Sequence, residues 1–337
     1  MQPLQLILRR AELGSVQRMI RNIKQVRAQF GQSAIRTTAD MLRCMSQGFG
    51  HLDYLTFGFA QNRGENRKTF MTMQDNLSLA KRLNDPEYRH FFKNKLDFNR
   101  TFHAYLGREY LDLNGAEDAF ISFCTRHPIL FAKAPVSFGG QDVFRVDTRQ
   151  SDDLHALYRS LMEKGCCLVE EPIVQHPQMD LLCGACVNTL RVVTVVDAQN
   201  APKVVYTLLR VGNGESAVDN ISSGGMYTMP DDDGRIVYPM FCDKTVQYYD
   251  KHPKTGFSFS GFEIPFFRES KALCLRAAAE QTHMRYIGWD VAITPDGPVL
   301  VEGNPLPGYD MCQNYRFHDD GIGMKPRFRA ALGDDGI

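Results

Sequence analysis

Near the end of the chain, Asp290, Glu302 and Asn304 are spaced D-x11-E-x-N inside GWDVAITPDGPVLVEGNPLPG, residues 288–308. The runs Asp290–Ile293 and Val299–Glu302 are short and β-prone. Between them Thr294-Pro295-Asp296-Gly297-Pro298 supplies Pro and Asp-Gly turn chemistry, so the stretch reads as a β-hairpin. With Ile293 opposite Val299, Asp290 falls opposite Glu302. Side chains alternate along a strand, which places Val291, Ile293, Val299 and Val301 on one face and Asp290, Ala292, Leu300, Glu302 and Asn304 on the other. Directly opposed residues have Cβ atoms roughly 4.5–5.5 Å apart, and like charges there are destabilising. Two carboxylates and an amide oxygen so placed call for a cation. Oxygen-only donors favour a hard ion, Mg²⁺ or alternatively Mn²⁺, bound as one or two ions with substrate phosphates completing the shell. The competing reading is an acidic hairpin facing water.

The segments upstream must position this hairpin and whatever it serves. Asn94–Gly107 carries a helical stripe, Phe98, Phe102 and Leu106, and Lys95 sits in its first turn. A cation there opposes the helix dipole, so it is either a solvated lysine or one held for another reason. Ile129–Lys133 reads as a strand running into a small-residue loop, 134–140, that ends Ser137-Phe138-Gly139-Gly140, with Val143–Val146 returning. A lysine beside such a loop suits phosphate, because backbone N–H groups form an anion cradle and the lysine adds a point charge; Gly-Gly equally makes a plain hairpin. A helix over 152–164, capped by Ser151, precedes a buried strand that ends Glu170-Glu171-Pro172-Ile173. That end presents backbone groups to a flat ligand such as adenine, or is an ordinary strand exit. Thr189–Val196, with Asn188 before it and Arg191 on it, and Lys203–Val211 are strands. Residues 219–225, including Asn220, form a second small polar loop, and a helix over 270–285 is closed by Gly288.

Composition bounds the rest. The 337 residues suffice for two domains, or one with subdomains, and 43% hydrophobic content fills a sizeable core. With 39 basic and 39 acidic residues, nothing points to nucleic acid or an acidic membrane surface. No window approaches about 18 apolar residues, and the N-terminus lacks a signal-peptide pattern. The nine cysteines show no zinc spacing; Cys183 and Cys186 form a lone C-x-x-C, and free thiols in a reducing cytoplasm are the simplest account. Residues 1–90 read as helical and polar, without a G-x-G-x-x-G or Walker A sequence.

Taken together, NKLDFNRTFHAYLG, VNTLRVVTVV, VDNISSGG, HPKTG and GWDVAITPDGPVLVEGNPLPG resemble the ATP-grasp superfamily of carboxylate–amine ligases, and within it the sugar-transfer associated branch, over about residues 90–315. The resemblance implies an α+β ATP-grasp fold of two subdomains, 91–175 and 176–337, clasping ATP behind a helical region, 1–90. It implies that Asp290, Glu302 and Asn304 hold Mg²⁺ bridging the β- and γ-phosphates, that Lys95 and Lys133 touch phosphate oxygens, and that Ser137, Gly139 and Gly140 lie over them. Glu170, Glu171 and Ile173 would frame adenine, with Glu171 standing where many relatives carry Lys. Arg191 would reach the γ-phosphate or an acyl phosphate, Asn188 a sugar or the metal's surroundings, and Asn220, Gly224 and Gly225 would close over the reaction centre.

The function so implied is an ATP- and Mg²⁺-dependent ligase that joins a small carboxylate to an amine through an acyl phosphate, in polysaccharide or sugar-conjugate biosynthesis. A small-molecule kinase on the same scaffold and a non-catalytic nucleotide-binding protein are the alternatives. The sequence names neither substrate and leaves the oligomeric state open.

Overall fold

A computed structural model of the chain describes residues 16–136, 143–215 and 224–333. Ser137, Gly139, Gly140 and Asn220 lie outside the described residues.

The helices and strands follow one another in this order. Four helices open the described residues: α1 (Val16–Phe30), α2 (Ala34–Ser46), α3 (His51–Thr56) and α4 (Met73–Leu83). Next come α5 (His90–Lys93), α6 (Lys95–Thr101), β1 (Tyr110–Asp112), α7 (Glu117–Arg126), β2 (Ile129–Lys133), β3 (Val143–Asp147), α8 (Leu154–Glu163) and β4 (Leu168–Glu170). After α9 (Pro177–Leu182) the strands β5 (Thr189–Val196), β6 (Pro202–Val211), β7 (Met226–Thr228), β8 (Met240–Cys242) and β9 (Gln247–Tyr249) follow. The chain ends with α10 (Phe267–Glu280), β10 (Tyr286–Thr294), β11 (Gly297–Asn304) and α11 (Lys325–Leu332). No described helix is long and apolar enough to cross a membrane.

The chain divides into two compact units. The first combines the described parts of Met1–Leu79 and Gly308–Ile337. Its core is aromatic: Tyr54, Phe57, Phe59 and Phe70 are all buried, with edge-on rings such as Phe49 on Phe59 at 4.9 Å. The C-terminal segment is held to the helices by side-chain to backbone bonds, Met71 N–H to Gln313 Oε1 at 2.8 Å and Gln313 Nε2–H to Met71 O at 3.1 Å. Helix α2 begins at Ala34, where Ser33 is the cap and accepts from Arg36 N–H. The stretch 47–66 supplies α3 and most of the aromatic core.

The second unit, Ala80–Pro307, holds two antiparallel sheets. The smaller has strand order β1-β4-β2-β3, and α7 and α8 cover it through Phe120, Phe123 and Leu161. The larger runs β11-β10-β5-β6-β7-β8-β9. One face of it packs Leu190, Val192, Ile287, Trp289 and Leu300 into a core with Leu273, Cys274 and Ala277 of α10 and with Phe98 and Phe102. Three expected boundaries shift. The helix expected over 94–107 stops at Thr101, and a 3₁₀ turn carries its last apolar residues. The cap of α8 is Asp153, which accepts from His155 and Ala156 N–H, in place of Ser151. The helix expected over 270–285 begins at Phe267 and ends at Glu280, so Gly288 lies inside β10.

Candidate functional site

The hairpin β10–β11 is tighter and longer than the sequence suggested. Thr294 pairs with Gly297, so only Pro295 and Asp296 form the turn. Asp290 does face Glu302, as expected, but Ile293 faces Pro298 rather than Val299. The difference is a β-bulge: Asp290 pairs with Glu302 while Val291 pairs with Leu300, so Val301 has no partner across the ladder. Beyond the bulge the faces exchange. Leu300 joins Val291 and Ile293 in the core, and Val299 moves to the Ala292 side. Gly288 pairs with Asn304, which puts the amide on the same face as the two carboxylates.

That face is strongly charged. Arg191 on β5 is the direct cross-strand partner of Asp290. Its Nε–H and Nη2–H donate to Asp290 Oδ1 and Oδ2 at 2.5 and 3.0 Å. Arg210 on β6 donates Nη1–H to Asp290 Oδ2 at 2.9 Å. Asp290, Arg191 and Arg210 are all buried. Burial pushes the Asp290 carboxyl up, but Arg191 and Arg210 outweigh it and hold the group well below the usual carboxylate range. Glu302 goes the other way. Desolvation and then the Asp290 charge push it up to about 7. Its side chain is nevertheless exposed by area. Solvent therefore moderates part of that shift. Gly288 keeps the face open for Arg191: a Cβ there would lie 3.1 Å from Arg191 Cδ and 2.8 Å from Pro307 Cβ.

A second charged cluster lies on the smaller sheet. Glu170, at the end of β4, is buried. It accepts from Lys133 Nζ–H at 2.5 Å, Arg108 Nε–H at 2.9 Å and Asn99 Nδ2–H at 2.7 Å. Burial alone would raise its carboxyl; Arg108 and Lys133 prevail and hold it well below the ordinary range. Arg108 also donates to Leu300 O at 2.7 Å, beside the bulge of β11. The structure therefore brings Lys133 and Glu170 together, and Asp290, Glu302 and Arg191 together. Lys95 N–H donates to Pro135 O at 2.8 Å, which ties the start of α6 to the strand exit before the Gly-rich loop. Glu171 Oε2 accepts from Glu109 N–H at 2.9 Å, and Ile173 is partly exposed in the extended segment after β4.

Asn188 takes a different place. Its Nδ2–H donates to Gln175 Oε1, Met179 O and Cys183 O, and its Oδ1 accepts from Gly212 N–H. These contacts fix the entry to β5, and none of them is to the carboxylate pair. The neighbouring Cys183 thiol is drawn down to about 5, first by a hydrogen bond from Cys186. All nine cysteines are free thiols. His252 Nε2–H donates to Gly212 O at 2.9 Å, in keeping with a structural histidine. Gly224, at φ +101, and Gly225 lead into β7.

Sequence reasoning missed Arg210, Arg108 and Asn99. Arg210 had a usable signal, the one charged residue in the mostly apolar run Val204–Val211. Arg108 and Asn99 had none, since their partner Glu170 is 62 and 71 residues away.

Hard-ion chemistry fits the residues present. Glu302 is open to solvent and faces a second carboxylate, an oxygen pair of the kind a hard ion takes. Asp290 already accepts from two guanidinium groups, so its service as a ligand requires at least one of them to turn away.

Among solved structures, the chain is similar to the ATP-grasp ligase PsnB complexed with minimal precursor, Mg and ADP: 15% identity, TM-score 0.40, covering 71% of this chain and 58% of that one. It is similar to the D-alanine–D-alanine ligase from Coxiella burnetii at 11% identity and TM-score 0.38, over 72% and 53% of the two chains. It is also similar to the ADP complex of purK, N5-carboxyaminoimidazole ribonucleotide synthetase, at 10% identity and TM-score 0.39, over 65% and 46%. The chain thus spans about half the length of the solved structures it matches. No curated protein matches it. Residues 142–316, just over half of the chain, match the sugar-transfer associated ATP-grasp family, and the chain belongs to that family and has its fold.

Proposed function

We propose that the protein is an ATP- and Mg²⁺-dependent ligase that joins a carboxylate to an amine through an acyl phosphate, in polysaccharide or sugar-conjugate biosynthesis. The observation that carries this reading is the polar face of the larger sheet, where Asp290 and Glu302 oppose one another beside Arg191 and Arg210. The sugar connection rests on the family description. Family membership supports nucleotide binding, and the two sheets support a division into grasp subdomains between residues 175 and 176. Free thiols throughout support a cytoplasmic setting.

In this reading Glu302, Asp290 and Asn304 hold the magnesium, which when bound neutralises charge on the phosphates. Arg191 and Arg210, at least one of them turned from Asp290, orient the oxygens of the transferring phosphoryl group. Lys133 offers a point charge to phosphate in exchange for Glu170, with Lys95 nearby on α6. Ser137, Gly139, Gly140 and Asn220 are assigned to loops over the nucleotide. Glu170 positions Lys133 and Arg108, which leaves Glu171 and Ile173 to border adenine. The carboxylate attacks the γ-phosphate, ADP leaves, and the amine then displaces phosphate from the acyl carbon. No side chain serves as nucleophile, so positioning and charge compensation carry the catalysis.

The test is turnover of the full chain with ATP, Mg²⁺ and panels of carboxylate–amine pairs. ADP and phosphate released in step with an amide product support the reading. A stable phosphorylated product without free phosphate selects a kinase instead.

A further inference from the structure

The helical unit contains a cavity of about 900 Å³ bordered by α2, the Gly64–Thr69 turn and Lys325. We propose that this cavity is a binding site for a small oligoanion, a molecule bearing two or more phosphate or carboxylate groups. The site belongs to the first unit alone and does not rest on the nucleotide reading.

The charge arithmetic of the lining is the first support. Six basic side chains, Arg36, Arg43, Arg63, Arg67, Lys68 and Lys325, line the cavity, against two acidic ones, Asp40 and Glu65. Both acids are already committed. Asp40 accepts from Arg67 through Nη1–H at 2.9 Å and Nη2–H at 2.6 Å, and Glu65 pairs with Lys68 at 2.8 Å. Lys325 pairs with Asp75 at 2.9 Å. Arg36, Arg43 and Arg63 remain, and among the described residues none of them has a carboxylate partner. The surplus is regional: residues 1–79 hold eleven basic and five acidic residues in a chain of zero net charge.

Local structure explains why the three converge. Positions 36, 40 and 43 are four and three residues apart on α2, so they share one face of that helix. Arg63 precedes the turn opposite. Arg67 is architectural: besides Asp40 it donates to Asn62 O and Phe59 O, and its guanidinium lies 5.0 Å from the Phe59 ring centre. This fixes both walls before any ligand arrives. Guanidinium forks match planar oxyanions in two-point contacts. Phe49 and Phe70, both buried in the aromatic core, back the cavity. The volume lies within the range of small-molecule pockets, roughly 300–1,000 Å³, which favours a metabolite over an extended polymer.

Isothermal titration of the full chain with pyrophosphate and, separately, with citrate tests the proposal and tells a phosphate site from a carboxylate one. One saturable site per chain is expected for at least one probe, weakening as salt is raised. The double variant R43Q/R63Q should lose affinity at least about tenfold. It should keep its melting temperature, because both side chains are exposed. E302Q, altered at the other site, should bind as the wild type does. Unchanged affinity in R43Q/R63Q overturns the proposal. So does loss of the signal in E302Q alone, or no saturable heat from either probe up to roughly 10 mM.

Discussion

Replacing Asp290 by Asn should destabilise the larger sheet far more than replacing Glu302 by Gln, although the two carboxylates face one another. Asp290 is 4% exposed and accepts three N–H bonds from Arg191 and Arg210. Asparagine keeps the shape and removes the charge, which leaves two buried guanidinium groups without their shared counter-ion. Breaking a buried ion pair on one side costs about 3–5 kcal/mol. The Glu302 carboxylate also acts on Arg191 and Arg210 and takes up part of the imbalance. The expected loss is therefore at the lower end, about 3 kcal/mol. Glu302→Gln removes a charge that the site disfavours, one pushed up to about 7 by desolvation and by Asp290. With its side chain open to solvent, the relief at pH 8 is on the order of 1 kcal/mol after screening. Trp289, the single tryptophan, is buried one residue from Asp290 and reports unfolding directly. In urea, D290N should move the midpoint down by about 1 M, and E302Q should leave it level or raise it slightly. If D290N unfolds with the wild type, or E302Q falls as far as D290N, the ion network described for this face is wrong.

Three further outcomes are expected. The ligand-free wild type should lose stability relative to E302Q as pH rises through about 7: a carboxyl whose folded value lies above its unfolded one stabilises the fold below the ordinary carboxylate range and loses that contribution on deprotonation; parallel pH–stability curves would dismiss this. Glu170 has the opposite sign, since its folded value is depressed, so its contribution is complete above the ordinary range and disappears in acid; E170Q should be less stable at neutral pH, with a flatter acid limb in chemical denaturation. Gly288→Ala places a methyl 2.8 Å from Pro307 Cβ and 3.1 Å from Arg191 Cδ, which should cost about 1–3 kcal/mol in urea melts and reduce ATP turnover more than it reduces stability would explain.

The hairpin itself was legible, because two β-prone runs flank a Pro-Asp-Gly turn, but the turn is one residue tighter than expected, and it is the slip at Val301 that brings Glu302 back opposite Asp290. The bulge was not legible. Val299, Leu300 and Val301 are all apolar, so alternation cannot say which of them turns to the core. The placement of Arg191 on the Asp290 face follows from a cross-strand pair whose members are 99 residues apart, and only the folded sheet supplies that. A helix cap was missed where two candidates competed: Asp153 wins over Ser151 because its oxygen reaches the free N–H groups of His155 and Ala156. The contact of Met71 with Gln313 joins residues 242 apart, and no periodic pattern encodes it.

The bulge and the Glu170 cluster have one physical explanation. With strict alternation, Leu300 would stand on the charged face beside Ala292, and Val301 would face the core. Slipping one residue at Val301 sends Leu300 into the core with Trp289 and Val291 while Glu302 stays opposite Asp290. Such a slip interrupts the ladder and leaves backbone carbonyls in need of donors. Arg108 meets that need, donating to Leu300 O at 2.7 Å and reaching Val301 O at 3.5 Å. A buried guanidinium needs a counter-ion in turn, and Glu170 provides it, while sharing its other contacts with Lys133 and Asn99. The carboxylate pair of the hairpin and the lysine of the smaller sheet are thus held in place through one arginine. The carboxyl at the end of β4, which the sequence offered to adenine, is what balances that arginine's charge.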